Sequence, residues 1–304
     1  MNLKYKNFYT MAENLYESGD LEKSLALFEN AEKYASRDEL IDLYYKKAFI
    51  YDELENCEKA LEYFEKIHKL DSNEAEALYG MAMEYEKLDN FDLAERFYKE
   101  SIKIKPDYDR AYFFLANLMD IQNRHEEAIK YYKKSISLRS DDYMAYNNLG
   151  AIYENIDEFD KALEVLDKSI EIEPSYFRPY FNKGVVYGRL KKYDEALYFY
   201  DQAMQRKKDY SFIYLNLSAL FIENKEYEKS IAILDKAIEN VSPPKSSLYY
   251  NRACSYMKLN KKEKALEDLK KSVDLNRDII DYAKNDPDFD AIKNDEEFVK
   301  IIGD

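Results

Sequence analysis

A 34-residue period runs from residue 5 to residue 279 of this 304-residue chain, and it constrains the fold more than any single motif does. Aligned on it, the chain gives eight copies, 5–38, 41–74, 75–108, 109–142, 143–176, 177–210, 211–244 and 246–279, with only Glu39-Leu40 and Lys245 outside the register. Such self-similarity marks a repeat array, in which each unit packs on its neighbours alone. Domain counting by length therefore does not apply.

The eighth place of the copies holds Ala12, Ala48, Ala82, Ala116, Gly150, Gly184, Ser218 and Ala253, and the twentieth holds Ser24, Ala60, Ala94, Ala128, Ala162, Ala196, Ser230 and Ala265. Two rows of small residues, one per helix, are what two closely paired helices need, because a larger side chain would push their axes apart. Large residues flank them at helical spacing: Phe8, Tyr44, Leu78, Tyr112, Tyr146, Tyr180, Tyr214 and Tyr249 at the fourth place, and Leu15, Tyr51, Tyr85, Met119, Tyr153, Tyr187, Phe221 and Tyr256 at the eleventh. The twenty-fourth place repeats the pattern with Phe28, Phe64, Tyr98, Tyr132, Leu166, Tyr200, Leu234 and Leu269. Each copy reads as two amphipathic helices. Fourteen of the 31 Tyr fall in these three rows and are expected in the core.

The pattern resembles the tetratricopeptide repeat over residues 5–279, most clearly in Ala145-Tyr146-Asn147-Asn148-Leu149-Gly150-Ala151-Ile152-Tyr153 and Phe159-Asp160-Lys161-Ala162-Leu163. Only Pro106 and Pro174 supply the family's terminal proline, and Trp is absent, which weakens the definition of the turns. The resemblance implies an all-α, right-handed superhelical solenoid of helix-turn-helix repeats whose first helices line the concave side. Beyond residue 279 the period stops, and residues 280–304 read as short helices started by Asp and Asn caps. Ile279, Tyr282, Phe289, Phe298 and Ile301 are expected to cover the apolar end of the last repeat, as the terminal unit of a solenoid must.

Composition narrows the function. Six Gly and six Pro leave little material for β-turns, and the formal charge of −15 opposes binding to nucleic acid or to anionic lipid. The first twenty residues are too polar for a signal peptide and no apolar run is long enough to span a bilayer, so a cytoplasmic location is expected. Cys57 and Cys254 are too few for a disulfide framework or a zinc site, and are read as small buried or half-buried residues. His68 and His125 share no motif and are expected on the surface, and no phosphate loop, nucleophile elbow or paired-histidine motif occurs. No cofactor, metal or catalytic residue is assigned, and a non-enzymatic protein is expected.

Function then rests on the first helices. Their sixth place holds Asn148, Asn182, Asn216 and Asn251 in four successive copies, a ladder whose amides either pair with the backbone of an extended peptide or bridge neighbouring helices. Asn117, Asn148 and Arg178 resemble part of the carboxylate clamp of chaperone-binding family members, although Phe113 stands where its first lysine would be and Asn182 replaces a later basic residue. Arg178 offers a guanidinium to a ligand carboxylate or is a solvated surface charge. Asp52, Glu86, Asp120 and Glu154 make the twelfth place acidic, joined by Glu13, Glu17 and Glu53, until Gly188, Ile222 and Met257 take it over beside Arg189 and Lys258. An acidic N-terminal half attracts a basic segment, or is the solvated face of an acidic protein. Tyr45, Tyr79, Phe113, Phe181 and Tyr250, with Tyr9, occupy the fifth place and are expected to face the groove as interface rings. The expected function is a scaffold or adaptor that holds a peptide or helix of a partner protein. The alternative is a regulatory sensor whose superhelix responds to a peptide or small ligand. Exposed apolar residues on the last helices leave self-association open.

Overall fold

The computed structural model describes residues 2–303, which form helices and turns with no strand among them. The helices follow in pairs: α1 (Leu3–Glu17) and α2 (Leu21–Glu32), α3 (Arg37–Glu53) and α4 (Cys57–Leu70), α5 (Ala75–Lys87) and α6 (Phe91–Ile104), α7 (Asp109–Ile121) and α8 (His125–Leu138). The series continues with α9 (Tyr143–Asn155) and α10 (Phe159–Ile172), α11 (Phe177–Arg189) and α12 (Tyr193–Arg206), α13 (Ser211–Glu223) and α14 (Tyr227–Asn240), α15 (Ser246–Lys258) and α16 (Lys262–Leu275). Two short helices, α17 (Ile279–Asn285) and α18 (Glu296–Ile302), flank a 3-10 turn over Pro287–Ile292. The chain divides into two compact units, unit 1 up to Ala145 and unit 2 from Tyr146, although the 34-residue period carries no mark of a break there. Each unit is an all-α stack of helix pairs.

The two insertions lie at helix starts. α3 begins at Arg37, behind a capping box in which Glu39 N–H donates to Ser36 Oγ and Ser36 N–H donates to Glu39 Oε2 at 2.7 Å, so Glu39-Leu40 lengthens the helix instead of forming a loop. Lys245 is the N-cap residue of α15.

The turn inside each copy is set by backbone geometry and needs no proline. Its fifteenth place is left-handed in all eight copies: Gly19, Glu55, Asp89, Asn123, Asp157, Lys191, Lys225 and Asn260 have φ between 55° and 82°. Asn56 N–H then reaches Tyr51 O at 2.8 Å while Glu55 N–H reaches Asp52 O at 2.9 Å, a Schellman pair that recurs from Asp20 to Leu15 through Lys261 to Tyr256. These bonds satisfy the carbonyls a helix end leaves open. The terminal prolines Pro106 and Pro174 lie instead at the thirty-second place, in the turn between copies.

Both small rows are buried throughout. At Gly184 an added Cβ would sit 2.6 Å from Tyr200 Cδ1, and at Gly150 one would sit 2.6 Å from Leu166 Cγ, so the twenty-fourth-row partners of these helices approach too closely for alanine. The twenty-fourth row is likewise buried in every copy. The fourth and eleventh rows depart from expectation, since most of their tyrosines are half-buried. They stack at the margin of the core: Tyr51 on Tyr63 at 5.6 Å, Tyr85 on Phe97 at 5.5 Å and Tyr187 on Phe199 at 5.3 Å. The deeper positions are the third and tenth, such as Leu43 and Ile50, Ala111 and Leu118, Ile213 and Leu220, all buried. In the first copy the corresponding Asn7 and Asn14 are exposed, as is Met11 at 54%, with no described repeat packed against that face.

In the C-terminal segment Asp295 caps α18, its Oδ1 accepting from Glu297 N–H at 3.0 Å, and Asp286 Oδ1 accepts from Asp288 N–H at 2.9 Å, whereas Asp278 at the start of α17 makes no side-chain cap. Phe289 and Phe298 are fully buried, their rings 5.7 Å apart, with Ile279 and Ile301 against the same cluster as Leu266 and Leu269. Burying each Phe contributes about 1.5–3 kcal/mol. Tyr282, expected in this cover, is instead 67% exposed: it lies on the outer face of α17, whose inner face presents Ala283.

Candidate functional site

In unit 1 the acidic row is engaged rather than open. Asp52 forms a close ion pair with Lys87, whose ammonium also lies 3.3 Å from Glu84. Asp120 sits 3.3 Å from His125 Nδ1, and burial raises its pKa against the lowering effect of the histidine. Glu86 Oε2 accepts a hydrogen bond from the Tyr98 hydroxyl at 2.8 Å, and its pKa is also raised by burial. Glu84, missed in the acidic reading because it lies on the inner face of α5, is 1% exposed and pushed up to about 7 by burial. The histidines correct their expected surface placement: both are half-buried, and His68 Nδ1 is enclosed without a hydrogen-bond partner.

The fifth-place rings of unit 1 differ among themselves. Tyr79 is not a groove residue, since it is buried against Tyr98, Tyr108 and Phe114 at 5.9, 5.3 and 5.7 Å. Phe113 packs edge-on against Phe114 at 5.3 Å and Tyr132 at 5.8 Å. Tyr45 is half-buried, donates its hydroxyl to Glu74 at 3.1 Å and stacks on Phe49, which is 53% exposed. Asn117 Oδ1 accepts from the Tyr132 hydroxyl, which spends its acceptor inside the unit.

In unit 2 the Asn ladder splits. Asn182 Nδ2 donates to Asn147 Oδ1 at 3.0 Å and Asn147 Nδ2 donates to Asn148 Oδ1 at 3.1 Å, so the buried Asn147 ties two ladder members to each other. This pair takes the helix-bridging alternative. Asn216 donates to Phe212 O of its own helix at 2.8 Å, and with Asn251 lines an open trough of about 650 Å³ between α11, α13, α15 and the 3-10 turn. Val185, Leu220 and Ile222 supply its apolar wall and Tyr250 its ring, with the Tyr250 hydroxyl donating to Asp286 at 2.6 Å. Glu154 is held by Arg189 at 2.7 Å.

Arg178 is exposed, its guanidinium 5.7 Å from the Phe177 ring and 5.9 Å from that of Tyr210. Phe181 meets the same Tyr210 ring at 5.5 Å, and Phe212, 55% exposed, adjoins it at 5.4 Å. Sequence reading missed Tyr210 and Phe212 because they lie at the end of one copy and the start of the next. It also missed the meeting of Cys254, Asp286 and Asp288, whose ligand-type atoms lie within 4.8 Å of one another. There the Tyr250 hydroxyl and Lys258 Nζ, 2.5 Å from Asp288, already engage the carboxylates. Cys254 is buried and Cys57 half-buried.

Tetratricopeptide repeat family models match residues 41–74, 75–108, 121–157, 141–209, 189–244 and 246–279, well over half of the chain. The chain belongs to the tetratricopeptide repeat family. Arrays of this family are protein-interaction scaffolds. No curated protein matches the sequence. Among solved structures, a tetratricopeptide repeat protein from Parabacteroides merdae ATCC 43184 is 15% identical with a TM-score of 0.65, over 80% of this chain and 96% of that one. YrrB, a TPR protein with an unusual peptide-binding site, is 21% identical with a TM-score of 0.52, over 66% of this chain and 97% of that one. The APC/C hetero-tetramer Cut9-Hcn1 provides a match at 18% identity and a TM-score of 0.60, over 95% of this chain and 55% of that one. At these identities the likeness is one of fold. No described helix is long and apolar enough to cross a membrane.

Proposed function

We propose that this tetratricopeptide array is a non-catalytic scaffold that holds an extended segment or a helix of a partner protein against its first helices, with the unit 2 trough as the main contact. The observation that carries this reading is the trough itself, where Asn216, Asn251 and Tyr250 converge on an apolar wall of Val185, Leu220 and Ile222. Carboxamides offer both donor and acceptor to a peptide backbone, while the wall and ring take apolar side chains. At the start of α11, Arg178 on its aromatic support provides a cation for an acidic group of the same segment. The ladder reading is thereby narrowed to Asn216 and Asn251, because Asn148 and Asn182 share their amides with Asn147.

The test is partner capture by the full chain, followed by titration with a synthetic segment of the captured partner. Replacing both Asn216 and Asn251 by Ala is expected to weaken that segment about tenfold, from two lost hydrogen bonds of about 0.5–1 kcal/mol each. Equal affinity for a folded double variant refutes the trough.

A further inference from the structure

Unit 1 holds a second, smaller concavity, about 210 Å³, lined by Met83, Glu86 and Lys87 of α5, Tyr98 of α6 and Phe114 of α7. Its chemistry differs from that of the trough. Every other carboxylate in the twelfth-place row has a basic group against it: Lys87 on Asp52, His125 on Asp120 and Arg189 on Glu154. Glu86 has the Tyr98 hydroxyl, and among the described residues no Lys, Arg or His stands within ion-pair distance of it. Lys87 borders the concavity, but its ammonium is paired with Asp52 and lies 3.3 Å from Glu84.

A half-buried carboxylate without a counter-cation is a standing electrostatic cost, and its raised pKa expresses that cost. The walls beside it are aromatic and sulfur-bearing. The Phe114 ring is held at a fixed tilt by Tyr79 at 5.7 Å and Phe113 at 5.3 Å, so its orientation is set before anything binds. Ring faces and a thioether attract a cation, and a planar guanidinium satisfies both requirements at once by stacking on a ring while its N–H fork reaches a carboxylate.

We propose that this concavity is a binding site for the guanidinium of an arginine side chain on a partner's segment, with Glu86 as the acceptor and Phe114 as the stacking surface. The proposal rests on the reading of the first helices as the partner-holding face, and it adds a basic residue to the chemistry that the partner presents to unit 1.

The full chain, labelled with 13C at its methionine methyl groups, is titrated with N-acetyl-arginine amide, the Met83 signal being assigned through Met83→Leu. A saturable shift of the Met83 methyl is expected, with no such shift from N-acetyl-citrulline amide, the neutral isostere, and a weaker one from N-acetyl-lysine amide. Glu86→Gln keeps an acceptor for Tyr98 and is expected to weaken the arginine probe about tenfold, whereas Glu58→Gln on the exposed face of α4 leaves it unchanged. An unsaturable or absent Met83 shift, an equal response to citrulline, or undiminished binding by Glu86→Gln overturns the site. The wild-type comparison with citrulline keeps the test decisive should a variant fold poorly. Failure here with trough-dependent partner binding intact removes only the arginine site, and the converse removes only the trough.

Discussion

The two units spell the same repeat with opposite polar vocabularies. In unit 1 the sixth place of the first helices carries Thr10, Lys46, Gly80 and Phe114 and the twelfth carries Asp52, Glu86 and Asp120, whereas in unit 2 the sixth place is Asn throughout and the twelfth turns from Glu154 to Gly188, Ile222 and Met257. Buried charge differs in the same way. Unit 2 pairs its buried Lys183 with Asp167 and its buried Asp268 with the half-buried Arg252, which also meets Asp235. Unit 1 pairs its buried Lys47 with Glu32 at 2.9 Å, yet leaves Glu84 Oε2 enclosed without a partner. A repeat scaffold thus fixes where side chains go while leaving their chemistry free to diverge, provided the interface between copies stays apolar or paired.

That contrast breaks most visibly at Arg252. Replacing it with Met leaves Asp268, 2% exposed, as an uncompensated buried carboxylate, and is expected to cost about 3–5 kcal/mol, read as a large drop in the midpoint of chemical denaturation. Lys46→Met removes a pair with Glu13 in which both side chains are more than a third exposed, and the same assay should barely register it.

The complement is Glu84→Gln. The unfolded carboxyl titrates near its ordinary 4.5 and the folded one near 7, so the folded state holds its proton longer. Stability from this group is undiminished below the lower value, falls as pH rises between the two, and stays reduced above the upper. Gln, which does not ionise and leaves Lys87 paired with Asp52, should therefore raise stability at pH 8 by about 1–3 kcal/mol and have little effect at pH 4. Thermal melts across that range measure it, and an unchanged pH profile would mean that Glu84 is not the group responsible.

A comparable effect separates the small rows. Gly184→Ala pushes a methyl into Tyr200, for an expected loss of about 1–3 kcal/mol, although alanine is the residue found at the same place in Ala48, Ala82 and Ala116 of unit 1. If melting shows no loss, the helix pair in unit 2 is more compliant than its packing indicates. Smallest is the turn. Lys191→Gly relieves a left-handed lysine and should gain about 0.5–1 kcal/mol, while Gly19→Lys in unit 1 should lose a similar amount.

Most of the architecture was legible in the residues because its causes are local and repeated eight times. Ala, Gly and Ser at the eighth place and Ala and Ser at the twentieth point to close helix pairs, and Phe289 and Phe298 beyond the last copy point to a cover. The site was legible only in part. Asn216, Asn251 and Tyr250 do meet in one trough, but Tyr79 is core and Asn148 is taken up by Asn147. No pattern within one copy announces such pairings.

The period by itself determined the helix pairs, their small and aromatic rows and the place where the array ends, since a 3.6-residue helix repeated at a fixed interval leaves one way to bury its stripes. Tertiary structure alone decided which polar groups are spent and which remain. Asp52 meets Lys87, Asn147 meets Asn182 and Tyr250 meets Asp286 across one stacked repeat, 35 or so positions along the chain. Stacking sets those distances, and the chemistry of each copy is read only against the copy beside it.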